Sequence, residues 1–364
     1  MNTHSFTASP TAGPTRERGM VTLGFLIALL SVMMLGAVYA ARAFVVEARS
    51  AANQSRYVLA QEAAEAGIEH MLAKMSAGNI SPIISTRVVR LQSPITLSTV
   101  TEQSYAVSVS PRASGVYLID SIGCEGCEAC STACPASARI TQLSGIVPRL
   151  PYPPLATLTA RQQVNMTGTS SINNSSAEAG GIAVRSGGAF SGSGNSRTTG
   201  PAGTPEAASR VANDSSLAAM DNEKFFKSFF GVDKVTFSGY DDVTKLTSAD
   251  CPNKLKGKKV FWVEGDCTIS SNMTIGSQTD PIILIVAGNL KITGGPIIHG
   301  FIYAGDSDTT TITTGGVAQI HGAVASEGSG GARGTVDLFY DPTVLMQAKR
   351  IGIYERLPGS WKDF

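Results

Sequence analysis

The sequence predicts an α+β protein: a long N-terminal transmembrane helix, a small β-sheet, and a C-terminal β-rich region with solenoid-like coils. Three observations carry this. The stretch from Met20 to Ala41 contains no formal charge. Short β-forming runs alternate with glycines beyond residue 100. An I-H-G core at 298–300 recurs at 320–322. Composition agrees: 16% of the 364 residues are charged and 38 are glycine, against about 25% and about 7% in ordinary domains. A net charge of +1 leaves no electrostatic footprint for nucleic acid. A hydrophobic share of 43% excludes a disordered polyelectrolyte.

The apolar run comes first. At 1.5 Å per residue it makes about 33 Å of helix, enough for a hydrocarbon core of about 30 Å. A cleaved secretory signal has a shorter apolar region of about 7–15 residues. Arg16 and Arg18 precede the run and Arg42, Arg49 and Arg56 follow it, so the positive-inside rule does not settle orientation. Tyr57, Ala60, Ala64, Ile68, Met71 and Met75 then recur at spacings of three and four, the signature of one helical face. Glu62, Glu65 and Glu69 mark another. No proline falls between Met20 and Met75, so one helix spans residues 20–78, first in lipid and then against a globular head.

The next unit, 79–148, carries the β-forming runs SYAVSVS at 104–110 and GVYLIDS at 115–121 with a turn between them, which read as a hairpin. Residues 149–364 form the third unit. It opens with the proline-rich RLPYPPLATLTA and continues through a Gly/Ser/Asn-rich stretch to about residue 205. Flexible linker is one reading of that composition; Ile182 and Val184 among the glycines favour short strands. PIIHGFIYAG at 296–305 and AQIHGAVASE at 318–327 are related segments, and a repeat interval in the range of about 20–30 residues points to stacked coils. His299 and His321 occupy equivalent positions and read as a structural ladder, since no further ligands stand at matching spacing for a metal. Residues 217–231 read as an inserted amphipathic helix with Phe225, Phe226, Phe229 and Phe230 as its stripe and Gly231 as its stop. Acidic residues are scattered through this unit rather than paired as a glycosidase would need. No catalytic residue, metal or cofactor is predicted.

Cys124, Cys127, Cys130 and Cys134 follow the spacing C-x2-C-x2-C-x3-C-P, that of the bacterial ferredoxin run. One such run does not complete a site, because its fourth cysteine ligates a second cluster. Four-thiolate zinc is another reading, although structural sites usually draw two pairs from separated loops. Cys251 and Cys267 complete an even count of six, which fits three disulfides of open connectivity.

The stretch from Arg16 to Leu72, with its basic leader ending in glycine, apolar helix and AQEAAEAGIE segment, resembles the N-terminal region of PilX-type minor pilins. The YDP at 340–342 and the GSWKDF ending resemble that family's C-terminal region. The resemblance implies a leader at 1–19 in the cytoplasm, cut by prepilin peptidase between Gly19 and Met20. It also implies an inner-membrane helix among lipid, a periplasmic pilin-like β head, and other major and minor pilins as partners. An oxidising periplasm then favours disulfides over iron–sulfur or zinc, with Cys251 joined to Cys267 and the four clustered cysteines in two local bridges. Most pilins carry glutamate at the fifth mature position, where this sequence has Gly24, which favours a tip or initiator position over the filament shaft.

The sequence therefore leads to a non-enzymatic minor pilin-like protein of type IV pilus assembly, at the inner membrane and then at the pilus or cell surface. Two rivals follow from the same residues. One is a single-span membrane protein displaying a solenoid that binds polysaccharide; the other is an iron–sulfur redox protein using the four-cysteine run.

Overall fold

The computed structural model describes residues 18–77, 89–93, 103–113, 115–127, 130, 134–256, 259–305, 311–314 and 316–363. The leader up to residue 17, residue 78 at the end of the predicted helix, residues 79–88 of the second unit and Phe364 lie outside the described residues. Helix α1, Arg18–Ser76, is one unbroken helix of 59 residues. Among the described residues it is the one helix long and apolar enough to cross a membrane. It divides sharply by burial: Val21 to Val58 is exposed throughout, whereas Ala60, Ala63, Ala64, Ile68, Met71 and Met75 are buried. Tyr57, on the same sequence-predicted face, is exposed because the head begins one turn later.

The head is an antiparallel sheet of β1 (Val89–Ser93), β2 (Gln103–Ala113), β3 (Val116–Glu125) and β4 (Ala136–Pro148), in that spatial order. Alternating burial along β2 reflects its period of two. Tyr105, Val107 and Val109 point at Ile68, Met71 and Met75 of α1, with Ile119 and Ile140 alongside. Two further strands come from the far end of the chain. Gly352–Arg356 and Lys362–Asp363 both pair antiparallel with β4, and Arg356 donates to Glu69 of α1 at 2.6 Å.

Between these strands the chain builds two sheets whose pairings are all parallel. Ile275, Ile298, Ile320, Leu338 and Ile172 stand in register on successive strands and point inward. Leu284, Ile302, Val324, Leu158 and Val184 form a second inward column. On the opposite side, the parallel strands Cys267–Ile269, Leu290–Ile292, Thr311–Thr314, Ser329–Gly334 and Val164–Gly168 follow one another in order. The stack does not follow chain order. The coil around 158–168 lies against the one around 319–334, so the chain enters in the middle, builds outward to Val211, and resumes at the other end with Thr244–Thr247. Seven strand steps at about 4.8 Å separate those ends, roughly 34 Å.

The return journey is helical. The segment predicted as one helix at 217–231 is two, α2 (Ser215–Ala218) and α3 (Asn222–Phe230), followed by α4 (Lys234–Ser238). The break has a local cause: Asp221 accepts from the Lys224 amide at 2.7 Å and starts a new helix. Gly231, in the left-handed region, ends α3. All four phenylalanines are buried, with Phe237, against the outward-facing Trp262, Ile285, Phe301 and Tyr303. A final helix, α5 (Pro342–Ala348), is capped by Asp341, packs on the strands holding His299 and His321, and leads into the C-terminal strands on β4.

Candidate functional site

Four features bear on function: the exposed length of α1, the cysteine loop, a buried charge cluster, and a surface groove. In α1, Gly19 and Met20 lie in the first turn. Gly24 has no heavy atom within 4 Å of where a Cβ would stand. Along the exposed stretch Tyr39 is 79%, Phe44 73% and Val46 66% exposed. Such residues need lipid or another apolar surface.

The cysteine loop closes the lower edge of the head. Cys124 pairs with Cys130 and Cys127 with Cys134, so the four sulfurs are held in two interleaved bridges and present no thiolate. Ser104 of β2 donates to the Cys127 carbonyl at 2.7 Å. Arg56, the last arginine of the exposed stretch, stands 3.7 Å from Glu125. Together these place the loop beside α1 where the helix leaves the head. Cys251 pairs with Cys267, within the core of the stacked sheets.

The charge cluster has no signature in sequence spacing. Glu327 is fully buried. Lys234 of α4 donates to its two carboxylate oxygens at 2.8 and 3.0 Å, and the Tyr303 hydroxyl donates to the same group. Arg161 donates to the Glu327 carbonyl at 3.1 Å and to the Met220 carbonyl at 2.9 Å. Burial first, then the Glu327 charge, push the Tyr303 hydroxyl well above its usual pKa, so it stays a proton donor. A carboxylate this enclosed has no path to a substrate. Its geometry fits a tie between the covering helices and the sheet.

His299 and His321 stack at 4.8 Å between ring centres, and Phe339 continues the column at 5.1 Å from His321. Among the described residues no group of three or more His, Cys, Asp or Glu is placed to hold a metal. Burial first, then His321, lower the pKa of His299, and Asp341 opposes them. The unfolded chain therefore binds more protons in acid, and this position contributes stability that is lost as pH falls below about 6.5. Thermal unfolding between pH 7.5 and 5 should show a shallower loss for His299→Gln than for the unsubstituted protein; equal slopes would contradict this.

The groove, of about 460 Å³, lies between the Tyr152–Ala156 segment, the coil at 179–185 and the Leu217–Phe229 helices. Its lining is mainly apolar, with Arg185 at one side held by Asp214 at 2.7 Å.

No protein-family model matches the chain, and no curated protein matches it. Among solved structures, the competence-associated pilin ComZ from Thermus thermophilus aligns over 85% of this chain and 97% of its own, at 11% identity and a TM-score of 0.25. At that level of likeness, function has to be argued from the chain's own residues.

Proposed function

We propose that this chain is a membrane-anchored, non-enzymatic pilin-like subunit of type IV pilus assembly, made as a prepilin and cut between Gly19 and Met20. The observation that carries the reading is the exposed length of α1. From Val21 to Val58 it runs roughly 57 Å at 1.5 Å per residue, nearly twice a hydrocarbon core of about 30 Å. A plain anchor has no use for the second half. A helix that leaves lipid to pack among others does, and the exchange needs no large hydrophobic gain because both surroundings are apolar.

The head then lies in the periplasm, where three disulfides persist. The parallel stack is read as a β-solenoid carried on that head, its support being the in-register inward columns of Ile and Leu. Gly24, standing where most pilins have a carboxylate, supports a tip or initiator position. Prepilin peptidase and other major and minor pilins are the partners this implies.

Mature N-terminus sequencing tests the reading in cells with and without prepilin peptidase. The expected result is a chain beginning at Met20 in the first and an uncut chain in the second. Retention of Arg16 and Arg18 in both would overturn it and favour the single-span alternative.

A further inference from the structure

The helical cover does not reach across the whole sheet on which it lies. The outward column that holds Trp262 and Tyr303 beneath α3 and α4 continues in register through Ala325 and Thr159 to Arg185 and Val211. There the apolar groove opens, with Tyr152 62% and Leu155 64% exposed among its lining. Its volume of about 460 Å³ lies within the range of about 300–1,000 Å³ usual for binding pockets. Arg185 is the charged residue of that lining.

Two other arginines of the same unit show how such a group is used. Arg149 is gripped by Asp242 at 2.6 to 3.0 Å and lies 3.6 Å over the Tyr240 ring. Arg210 is paired with Glu206 and lies 4.5 Å over the Phe190 ring. In each, a carboxylate takes one edge of the guanidinium and an aromatic ring takes its face. Arg185 has the carboxylate: its Nε and Nη2 both stand 2.7 Å from Asp214 Oδ2, and Nη2 donates to the Ser216 hydroxyl at 3.3 Å. Among the described residues no ring lies over it, although its side chain is 45% exposed. The arrangement is complete except for the ring.

Charge narrows the occupant further. Hydrogen bonds from Ser216, and then from Arg185, hold Asp214 at a pKa of about 2 against the cost of burial, so the guanidinium charge is already met. An incoming phosphate or carboxylate would face Asp214 as well as Arg185. A neutral aromatic ring meets no such repulsion, because its negative face suits the cation.

The groove also adjoins an open strand edge. Arg210–Val211 pairs with Val184–Ser186 on one side, and among the described residues no strand pairs on its other side. Val211 itself lines the groove. Such an edge takes an extended chain through main-chain hydrogen bonds. By contrast, the neighbouring edge at Arg197–Thr199 is closed, its Thr198 amide donating to Glu206 at 2.9 Å.

We propose that this groove binds an extended segment of another protein, with a neutral aromatic side chain of that segment lying flat on Arg185 and its backbone running beside Arg210–Val211. Leu217, Met220, Phe229 and Tyr152 supply the apolar surroundings of the ring. The site stands apart from the anchoring and processing argued above, so it holds whether or not the chain is cut before Met20.

The test uses the full chain in detergent and acetylated, amidated heptapeptides of serine and valine with tryptophan, tyrosine, leucine or glutamate at the centre. Saturation-transfer NMR titrations read the affinities. The tryptophan and tyrosine peptides should bind at least about fivefold more tightly than the leucine peptide, the gain expected of a ring on a partly desolvated cation, and the glutamate peptide least. Arg185→Gln should remove that gain and leave leucine-peptide binding unchanged, a split that a merely structural arginine would not produce. Arg185→Lys should also lose most of it, since the planar fork is gone while the charge remains. Methylating the peptide nitrogens on either side of the tryptophan should weaken binding by a similar factor. Equal affinity for the tryptophan and leucine peptides, or aromatic binding unchanged by Arg185→Gln, would overturn the proposal. So would N-acetyl-tryptophanamide competing as well as the peptide, which would mark a site for free aromatic compounds. An Arg185-dependent dimer of this chain, or Arg185-dependent binding of oligothymidylate, with no peptide bound would do the same.

Discussion

Lys234→Met will destabilise the stacked sheets by about 3–5 kcal/mol, the usual cost of leaving a buried charge without its partner. Glu327 is fully buried, Lys234 holds both its oxygens, and Tyr303 supplies one hydrogen bond that cannot replace a cation. For a unit of this size the loss is a drop of roughly 10 °C in the unfolding midpoint. The variant pair Lys234→Met/Glu327→Gln should recover at least half of it, because the uncompensated charge is gone while the Tyr303 hydroxyl keeps an acceptor. Thermal unfolding of the full chain in detergent measures both. A Lys234→Met midpoint within about 2 °C of the unsubstituted protein, a shift worth under 1 kcal/mol, would show that water reaches Glu327 and that the cluster is not a tie. The consequence reaches beyond stability. Lys234 belongs to α4, so the salt bridge helps hold the phenylalanine-rich cover over Trp262, Phe301 and Tyr303.

That cluster also shows where sequence reading runs out. The spanning run, the helical face from Ala60 to Met75 and the I-H-G repeat were legible because each is a local periodicity. His299 and His321 do stack, as their equivalent positions implied. Arg161, Lys234, Tyr303 and Glu327 share no spacing, and a fold that enters its own stack in the middle brings them together. The pairing of Val324 with Leu158 is the step that closes this arrangement, and nothing near either residue encodes it. One signal was available. In the aligned repeats Gly305 stands where the next coil has Glu327, and a Cβ at Gly305 would run into the Glu327 side chain. An acid on one coil opposite a bare glycine on its neighbour marks a buried group that has been given room. The single helix predicted at 217–231 divides for a related reason: the phenylalanine spacing marks the buried face, but Asp221 within it caps a new helix.

The attachment of the head to α1 depends on bare backbone in the same way, and Gly123→Val will break it. Gly123 sits on β3, with the Ala60 carbonyl and the Ala64 amide where its side chain would be. Gly67 of α1 makes the reciprocal approach, its Cβ position colliding with the Ser121 hydroxyl and touching the Tyr105 ring at 3.0 Å. Ordinary overpacking costs about 1–3 kcal/mol because side chains can turn aside. Here the obstacle at Gly123 is helix backbone, which has no rotamer to change, so the expected loss is at the top of that range, about 3 kcal/mol. Separation would strip cover from Ile68, Met71 and Met75 together with Tyr105, Val107 and Ile119, so the cost falls on the whole seam. Hydrogen exchange along residues 60–76, measured in the intact protein, should speed up in Gly123→Val while the Ile297–Ala304 and Gln319–Ser326 strands keep their protection. Gly36→Ala is the matched control, since Gly36 has nothing within 4 Å of its Cβ position, and should leave that exchange unchanged. Unchanged protection of residues 60–76 in Gly123→Val would mean that the sheet can slide along α1, and that the head is not held at one height on the helix.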